Sequence, residues 1–501
     1  MNPVLLCLDS GTTSVKAAAF DGQGRLLART ERPNGALHRD GLRVEQDMAQ
    51  TRAEALGVLR DCAVQLAGHV AGKIAGLVVT GQGDGLWPVN GSGQPVGRAL
   101  TWLDGRAREL AAGMGPALDA VQAATGSRPT AASASLQLLW LQRNDPARHA
   151  RIALALRLKE WLFLSLTGRA LAEPSVLLPV WGDWRSGALA PTVSDTLGLS
   201  RGTELLPELA PVGAARAGLS AEAAQATGLP QGLPVLLGPG DVQSTLIGLG
   251  LGSRQGVARA SIFGTSAIHA CLLDDPAAMP QAPAGAMIQQ FVLGPGYLCF
   301  HPCFNGATLL HHLSRRFADL PAAPAPEYSA LILHPFLEPG GERAPWTDPY
   351  ASGALFGLGA ATTPSQIAWA GREALAFVTR ASHAMMGAPD GALSLGGGLA
   401  GDGHFAQFLA TLTGCTVQRS PGSHAGLRGL AAIGARFLLD APDPAAWIGD
   451  PEQSLAPEPG PVAAYADCKY RLFSALLDAA TPFWEPLSAL RTKAEELMET
   501  P

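Results

Sequence analysis

The feature that most constrains this chain is a unit that occurs twice. Near the N-terminus the apolar run Val4–Leu8 enters Asp9-Ser-Gly-Thr-Thr-Ser14, and a second run, Val15–Phe20, leaves it. In the other half, Val257–Phe263 enters Gly264-Thr-Ser266 and Ala267–Leu273 leaves it. Short β-rich runs on either side of a Gly-Thr turn read as strand, tight turn, strand. One such unit in each half predicts a duplicated α/β architecture, two related domains facing each other across a cleft. The length agrees, because 501 residues exceed what one ordinary core organises. The glycine-rich stretch Gly248–Gly256 is the candidate hinge, which divides the chain into domains 1–247 and 248–501.

The segments between the repeats fit this plan. The third apolar stretch, Arg25–Ala28, follows the turn Asp21-Gly-Gln-Gly24, so the chain opens as an antiparallel meander. Gln50–Ala71, Ser135–Asn144 and Arg157–Leu166 carry helical periodicity. Ile74–Thr80 is a strand that breaks into Gly81-Gln-Gly-Asp-Gly85, and Leu233–Leu237 is a strand that ends in Gly238-Pro-Gly-Asp241. Strands that feed glycine-rich loops deliver side chains to sites. Arg471–Met498 reads as an amphipathic helical tail packed back on the second domain.

Several function classes are excluded early. A net charge of −6 supplies no basic footprint for nucleic acid or an acidic membrane. The run Val4–Leu8 is too short for a signal sequence or a membrane span, so a cytoplasmic protein is expected. Seven scattered cysteines suit a reducing compartment. Cys299-Phe-His-Pro-Cys303 matches no common zinc spacing and reads as a strand end running into a helix. No G-x-x-x-x-G-K-[ST] motif occurs, and Gly81–Gly85 lacks the full dinucleotide fingerprint.

The remaining motifs carry a consistent chemistry. Gly11 lets a strand turn tightly, so that successive amide groups and the hydroxyls of Thr12 and Thr13 face a phosphate. Gly264 and Thr265 repeat that arrangement, and two such loops can clamp one triphosphate. Asp9 is placed to hold Mg²⁺ through water, because Mg²⁺ sheds its hydration reluctantly. Asp241, at the end of a strand, can take a proton from an attacking hydroxyl or cap a helix, roles that coexist. Ser394-Leu-Gly-Gly-Gly398, before a helix expected over Gly403–Gly414, lets a flat base approach the backbone or serves as a strand-to-helix turn. Gln82 and Asp84, with Gly83 between them, offer polar groups for sugar hydroxyls. Trp102 and Asp104 with Arg106 add an aromatic face, an acceptor and a donor fork.

In this order the motifs resemble the FGGY family of carbohydrate kinases. The carriers are Asp9-Ser-Gly-Thr-Thr-Ser-Val-Lys16, Gly81-Gln82, Trp102-Leu-Asp-Gly-Arg106, Lys159-Glu-Trp161 with Leu166-Thr-Gly168, Gly240-Asp241, Gly264-Thr-Ser266, Gly341-Glu-Arg-Ala-Pro345 and Gly396-Gly-Gly398. Gly353-Ala-Leu-Phe-Gly357 with Gln366-Ile and Glu373 looks like the family's second-domain pattern, from which Gly371 and Arg372 depart. The resemblance implies two actin-like ATPase (ribonuclease H-like) domains and phosphoryl transfer from ATP with Mg²⁺. It implies Asp241 as general base, with Asp9 and Asp241 on the metal side. Thr12, Thr13, Gly264 and Thr265 would hold phosphates, and Gly397 and Gly398 would line the adenosine site.

The expected substrate is xylulose or a related ketopentose, on the likeness of Trp102-Leu-Asp-Gly-Arg106 to xylulose kinases. Erythritol is the close alternative, because Gly81-Gln-Gly-Asp-Gly85 lacks the Met-His usual in xylulose kinases. A non-catalytic sugar sensor on the same fold is the rival from another class, and it is expected to have lost Asp9 or Asp241. Partners other than a small sugar or polyol are not expected, and a homodimer is left open.

Overall fold

The computed structural model describes residues 3–67, 73–274, 281–338, 340–420, 424–441 and 443–499. The opening meander is formed by β1 (Val4–Ser10), β2 (Ser14–Phe20) and β3 (Leu26–Pro33), with Asp9 opposite Lys16 in the antiparallel register. Helix α1 (Met48–Ala67) follows, and the tail of the helix expected to Ala71 lies outside the described residues. Strand β4 (Ile74–Gly81) then pairs parallel with β1 and feeds β5 (Gly85–Val89) through the Gln82–Asp84 loop. Two further strands, β6 (Arg216–Gly218) and β7 (Pro234–Leu237), complete the first sheet in the order β6-β7-β4-β1-β2-β3.

The second sheet repeats the plan. It holds β8 (Val257–Phe263), β9 (Ala267–Leu273), β10 (Met287–Gln290), β11 (Tyr297–Cys303), β12 (Ala392–Gly397), β13 (Val417–Arg419) and β14 (Gln453–Leu455). Its order is β10-β11-β9-β8-β12-β13-β14. As β1 lies between antiparallel β2 and parallel β4, so β8 lies between antiparallel β9 and parallel β12. The Cys299–Cys303 motif forms the end of β11, and the next helix begins at Thr308.

Ten helices are named here in chain order. After α1 come α2 (Ala134–Asn144), α3 (Leu158–Thr167), α4 (Pro174–Trp181) and α5 (Asp241–Gly248) in the first half. The second half contributes α6 (Pro364–Met385), α7 (Gly403–Thr413), α8 (Ala425–Leu438), α9 (Pro461–Ala480) and α10 (Trp484–Glu499). No helix among the described residues is long and apolar enough to cross a membrane.

The continuous apolar run in β1 is explained by burial on both faces. Leu6 and Leu8 face a core that includes Val58 and Leu59 of α1. Leu5 and Cys7 face another core, built with Leu427, Leu430 and Ala431 of α8. Thus a helix from the second half covers the first sheet. In return Leu246 of α5, from the first half, packs with Ala260 and Ala270 of the second sheet. These two exchanged helices cross almost backbone to backbone. A Cβ at Gly248 would stand 1.8 Å from the Ala425 carbonyl oxygen, and one at Gly429 would stand 1.8 Å from that of Ser244.

The residues that depart from the family pattern have structural explanations. Arg372 is buried, and its Nε donates to Asp402 at 2.6 Å, tying α6 to the capping residue of α7. Gly371 leaves room for Leu313, whose Cδ1 would lie 2.7 Å from an added Cβ. The tail behaves differently from expectation. Helix α9 buries Ala466, Phe473 and Leu477 in the second core, but α10 buries only Trp484. Leu487, Leu490 and Leu497 of α10 remain exposed. Beyond the Thr481–Phe483 turn, the apolar stripe of α10 is left uncovered.

The crossing makes a specific demand on residue size. Gly429→Ala should destabilise the protein by about 3 kcal/mol or more, because backbone on both sides prevents relaxation. Gly91→Ala, where an added Cβ meets nothing within 4 Å, should be close to neutral. Thermal melts of the two variants, side by side, check this.

Candidate functional site

The two Gly-Thr turns and the strand-end loops converge on one cavity of about 230 Å³ between the halves. The first half contributes Thr12, Gln82, Asp84, Trp102 and Asp241, and the second contributes Ser266, Gln289, Phe304 and Arg343. Apolar walls come from Val176, Pro179 and Val180 of α4. That helix is anchored by a buried ion pair, Lys159 Nζ to Glu173 Oε1 at 2.7 Å. Glu173 also accepts from the backbone and hydroxyl of Ser175 in the first turn of α4. The Lys159 motif is therefore a positioning element for the cavity wall.

Asp241 is the first residue of α5, with Gly240 as the preceding cap and its own Oδ1 accepting from the Val242 amide at 2.8 Å. A carboxylate at a helix N-terminus is favoured by the helix dipole. Burial nevertheless dominates: it pushes Asp241 up to about 7, with the charge of Asp9 next in importance and Asp84 contributing. A carboxylate with that affinity for protons is suited to act as a general base near neutral pH.

Asp9 lies at the end of β1, and its Oδ1 is sealed from solvent without a hydrogen-bond partner among the described residues. Burial raises its pKa, Lys16 opposes that, and Glu31 adds to it. The first turn of α8 closes in beside it; a Cβ on Gly426 would lie 3.3 Å from Asp9 Oδ2. Two neighbouring half-buried carboxylates, one with an oxygen sealed from solvent and unpartnered, form a donor set that fits a divalent cation with oxygen ligands.

The residues expected to hold phosphates lie at the two strand–turn–strand tips. Gly11 closes the β1–β2 turn by donating to the Ser14 carbonyl, and Gly264 does the same toward Ser266. Thr13 and Thr265 are exposed at the tips of their turns. The β12 strand ends against the second turn, with Gly397 paired to Phe263. Gly397 has φ +83°, and a Cβ there would stand 2.3 Å from the Phe263 carbonyl oxygen. Gly398 beside it is exposed, and an added Cβ there would meet the Phe263 carbonyl oxygen only at 3.9 Å, an ordinary contact.

The expected sugar-site residues divide. Gln82 is buried at the cavity, and both ends of its amide lack partners among the described residues. Gly83 and Asp84 also line the cavity, and Trp102 forms part of its wall. Trp102 has a second task, because its Nε1 donates to Thr12 Oγ1 at 2.9 Å and joins the sugar side to the phosphate turn. Asp104 requires correction. It is buried outside the cavity lining, and its oxygens are taken up by the Val44 amide and by Arg106. Arg106 also pairs with Glu45 at 2.8 Å, so the Asp104–Arg106 fork stabilises a loop rather than a ligand.

Arg343 was missed as a site residue, although its motif carried part of the resemblance. The signal was the Glu-Arg pair itself. Glu342 turns inward and accepts from the Phe304 amide at 2.6 Å and from Asn305 Nδ2 at 2.9 Å, leaving Arg343 to face the cavity.

The charge on Asp241 has a consequence for stability. Its folded pKa lies above the ordinary carboxylate value, so the cost of ionising it is absent below about pH 4 and complete above about pH 7. Without Mg²⁺, Asp241→Asn should therefore melt several degrees higher than the unaltered protein at pH 8. The gain should shrink as pH falls toward 4 and shrink on adding Mg²⁺, as thermal melts with and without chelator will show.

Comparison with known proteins agrees with this geometry. Residues 4–248 match the FGGY family of carbohydrate kinases, N-terminal domain, and residues 259–438 match the C-terminal domain. The erythritol kinase of Brucella abortus (strain 2308) is 30% identical, over 97% of this chain and 98% of its own. A xylulose kinase of Klebsiella pneumoniae is 28% identical over 86% of this chain and 88% of its own. A gluconate kinase structure from Lactobacillus acidophilus superposes with a TM-score of 0.85 at 19% identity, covering 97% of this chain and all of that one. With both domains matched and the duplicated actin-like ATPase fold in place, this chain belongs to the FGGY family of carbohydrate kinases, enzymes that transfer a phosphoryl group to an alcohol.

Proposed function

We propose that this enzyme transfers the γ-phosphoryl group of ATP to a terminal hydroxyl of a small neutral polyol, with the four-carbon polyol erythritol as the favoured acceptor. The observation that carries this reading is Asp241, a half-buried carboxylate shifted to about 7 at a cavity shared with Gln82 and Asp84. Asp84 gives the loop its polyol character. The erythritol kinase of Brucella abortus, alike along 97% of this chain, supports the same acceptor. A ketopentose such as xylulose is the second reading, favoured by the Trp102–Arg106 motif and by the Klebsiella pneumoniae relative.

The chain's residues divide the reaction among them. Asp241 accepts the proton of the acceptor hydroxyl as that oxygen attacks the γ-phosphorus. A bond forms from the acceptor oxygen to phosphorus, and the bond from phosphorus to the bridging oxygen breaks, releasing ADP. The amides and hydroxyls of Gly11, Thr12, Thr13, Gly264 and Thr265 hold the phosphates in line from both domains. Gly397 and Gly398 leave the surface open for the nucleoside. Asp9 and Asp241 would hold Mg²⁺, which supplies charge neutralisation to the phosphates when bound. Closing the halves excludes water, so that the acceptor hydroxyl is the only nucleophile in reach. All seven cysteines are free thiols, which suits a cytoplasmic setting.

An ADP-release screen with erythritol, xylulose, ribitol, ribulose and glycerol tests the acceptor; the highest kcat/KM is expected for erythritol, and activity on xylulose alone selects the second reading. Asp241→Asn should lower turnover at least ~10²-fold while ATP still binds, and near-normal turnover removes it as the base. Thr265→Val should weaken nucleotide binding in calorimetry and leave acceptor binding intact. The reverse pattern would exchange the two halves of the site.

A further inference from the structure

Two opposite charges face the cavity from different halves of the molecule without pairing. Asp84 comes from the loop after β4, and Arg343 comes from the Gly341–Pro345 segment of the second half. Among the described residues, neither side chain has a hydrogen-bond or ion-pair partner; Arg343 has only the ring of Phe304, with its guanidinium carbon 5.4 Å from the centroid. Each feels the other electrostatically, since Arg343 lowers the pKa of Asp84 against burial and Asp84 supports the charge on Arg343. Behind Asp84 lies a second guanidinium, Arg157, fully buried and with all three nitrogens partnerless. Beside the pair the cavity is apolar, walled by Val176, Pro179 and Phe304.

Charges held out of water without partners are unfavourable unless a ligand completes them. The ligand here must give hydrogen bonds to a carboxylate and accept them from a guanidinium. Hydroxyl groups do both, and neighbouring hydroxyls do both at once. A ligand with its own negative charge is opposed, because Asp84 and Asp241 outnumber Arg343 among the lining charges.

We propose that Arg343 is a specificity-determining residue which, with Asp84 from the other domain, clamps the non-reacting hydroxyls of the acceptor. This rests on the kinase reading above and adds the basis of its acceptor choice. An acceptor with hydroxyls beyond the three of glycerol fills the clamp and draws the halves together. A shorter one leaves part of the clamp empty.

The test compares kcat/KM for erythritol and glycerol in the unaltered enzyme and in Arg343→Met, Arg343→Lys, Asp84→Asn and the Arg343→Met/Asp84→Asn double variant. Arg343→Met should lower the erythritol-to-glycerol ratio at least ~10-fold, mainly through the acceptor KM, because the site then leaves acceptor hydroxyls unpaired. Arg343→Lys, which keeps the charge and loses the fork, should lower the ratio by a smaller factor. The double variant should lose less than the product of the single losses, as expected for groups that act on one ligand. Equal losses on both acceptors, or full additivity, overturn the clamp. If Arg343→Met does not fold, Arg343→Lys decides, and an unchanged ratio there overturns it. An unaltered enzyme that turns over neither polyol removes the polyol reading of the acceptor instead; calorimetry with erythritol then reads the clamp directly, and equal affinity in Arg343→Lys rejects it.

Discussion

The crossing of α5 and α8 is the contact on which the rest of this molecule depends. Each helix comes from one half of the chain and packs on the sheet of the other. The axes can approach so closely because Gly248 and Gly429 put backbone against backbone. Asp241 stands at the start of one of these helices, and the first turn of the other abuts Asp9. The same crossing that joins the domains therefore sets the spacing of the two acidic groups. A protein interior is close-packed, so a change at this contact moves the site as a unit.

The site itself is assembled at the expense of stability. Asp9, Asp84 and Asp241 each have their proton affinity raised by desolvation, and the charges of Asp9 and Asp84 both add to that of Asp241. Gln82 has both ends of its amide unsatisfied. Elsewhere the chain pairs its buried charges carefully: Lys159 with Glu173, Lys469 with Glu373, Arg372 with Asp402. That contrast separates structural charges from charges waiting for a ligand. Those pairs are satisfied within the fold, while Asp84 and Arg343 at the cavity have no such partner among the described residues.

Much of the plan was legible because it rests on local chemistry. A Gly-Thr turn between two β-rich runs has few conformations open to it, so both hairpins stand where the sequence indicates. The helix expected over Gly403–Gly414 forms over Gly403–Thr413, capped by Asp402. Misreadings arose where a side chain had two partners to choose from. Asp104 looked like a sugar acceptor, but Arg106, two residues on, claims it. Trp102 does wall the cavity as expected, and its indole nitrogen has a further partner in Thr12, ninety residues away. The stripe of Leu487, Leu490 and Leu497 looked like a packing face, yet all three stay exposed beyond the Thr481–Phe483 turn.

By itself the sequence determined the duplicated halves, the two Gly-Thr turns, the two strand-end acids and the family. These follow from local backbone geometry and motif order, which the chain carries in linear form. Only the tertiary structure decided which charges face the cavity unpaired, which are consumed by neighbours, and that Arg343 stands across from Asp84. Those facts depend on distances between residues far apart in the chain, and such distances are fixed by how helices and sheets pack, not by any local preference of the residues that end up in contact.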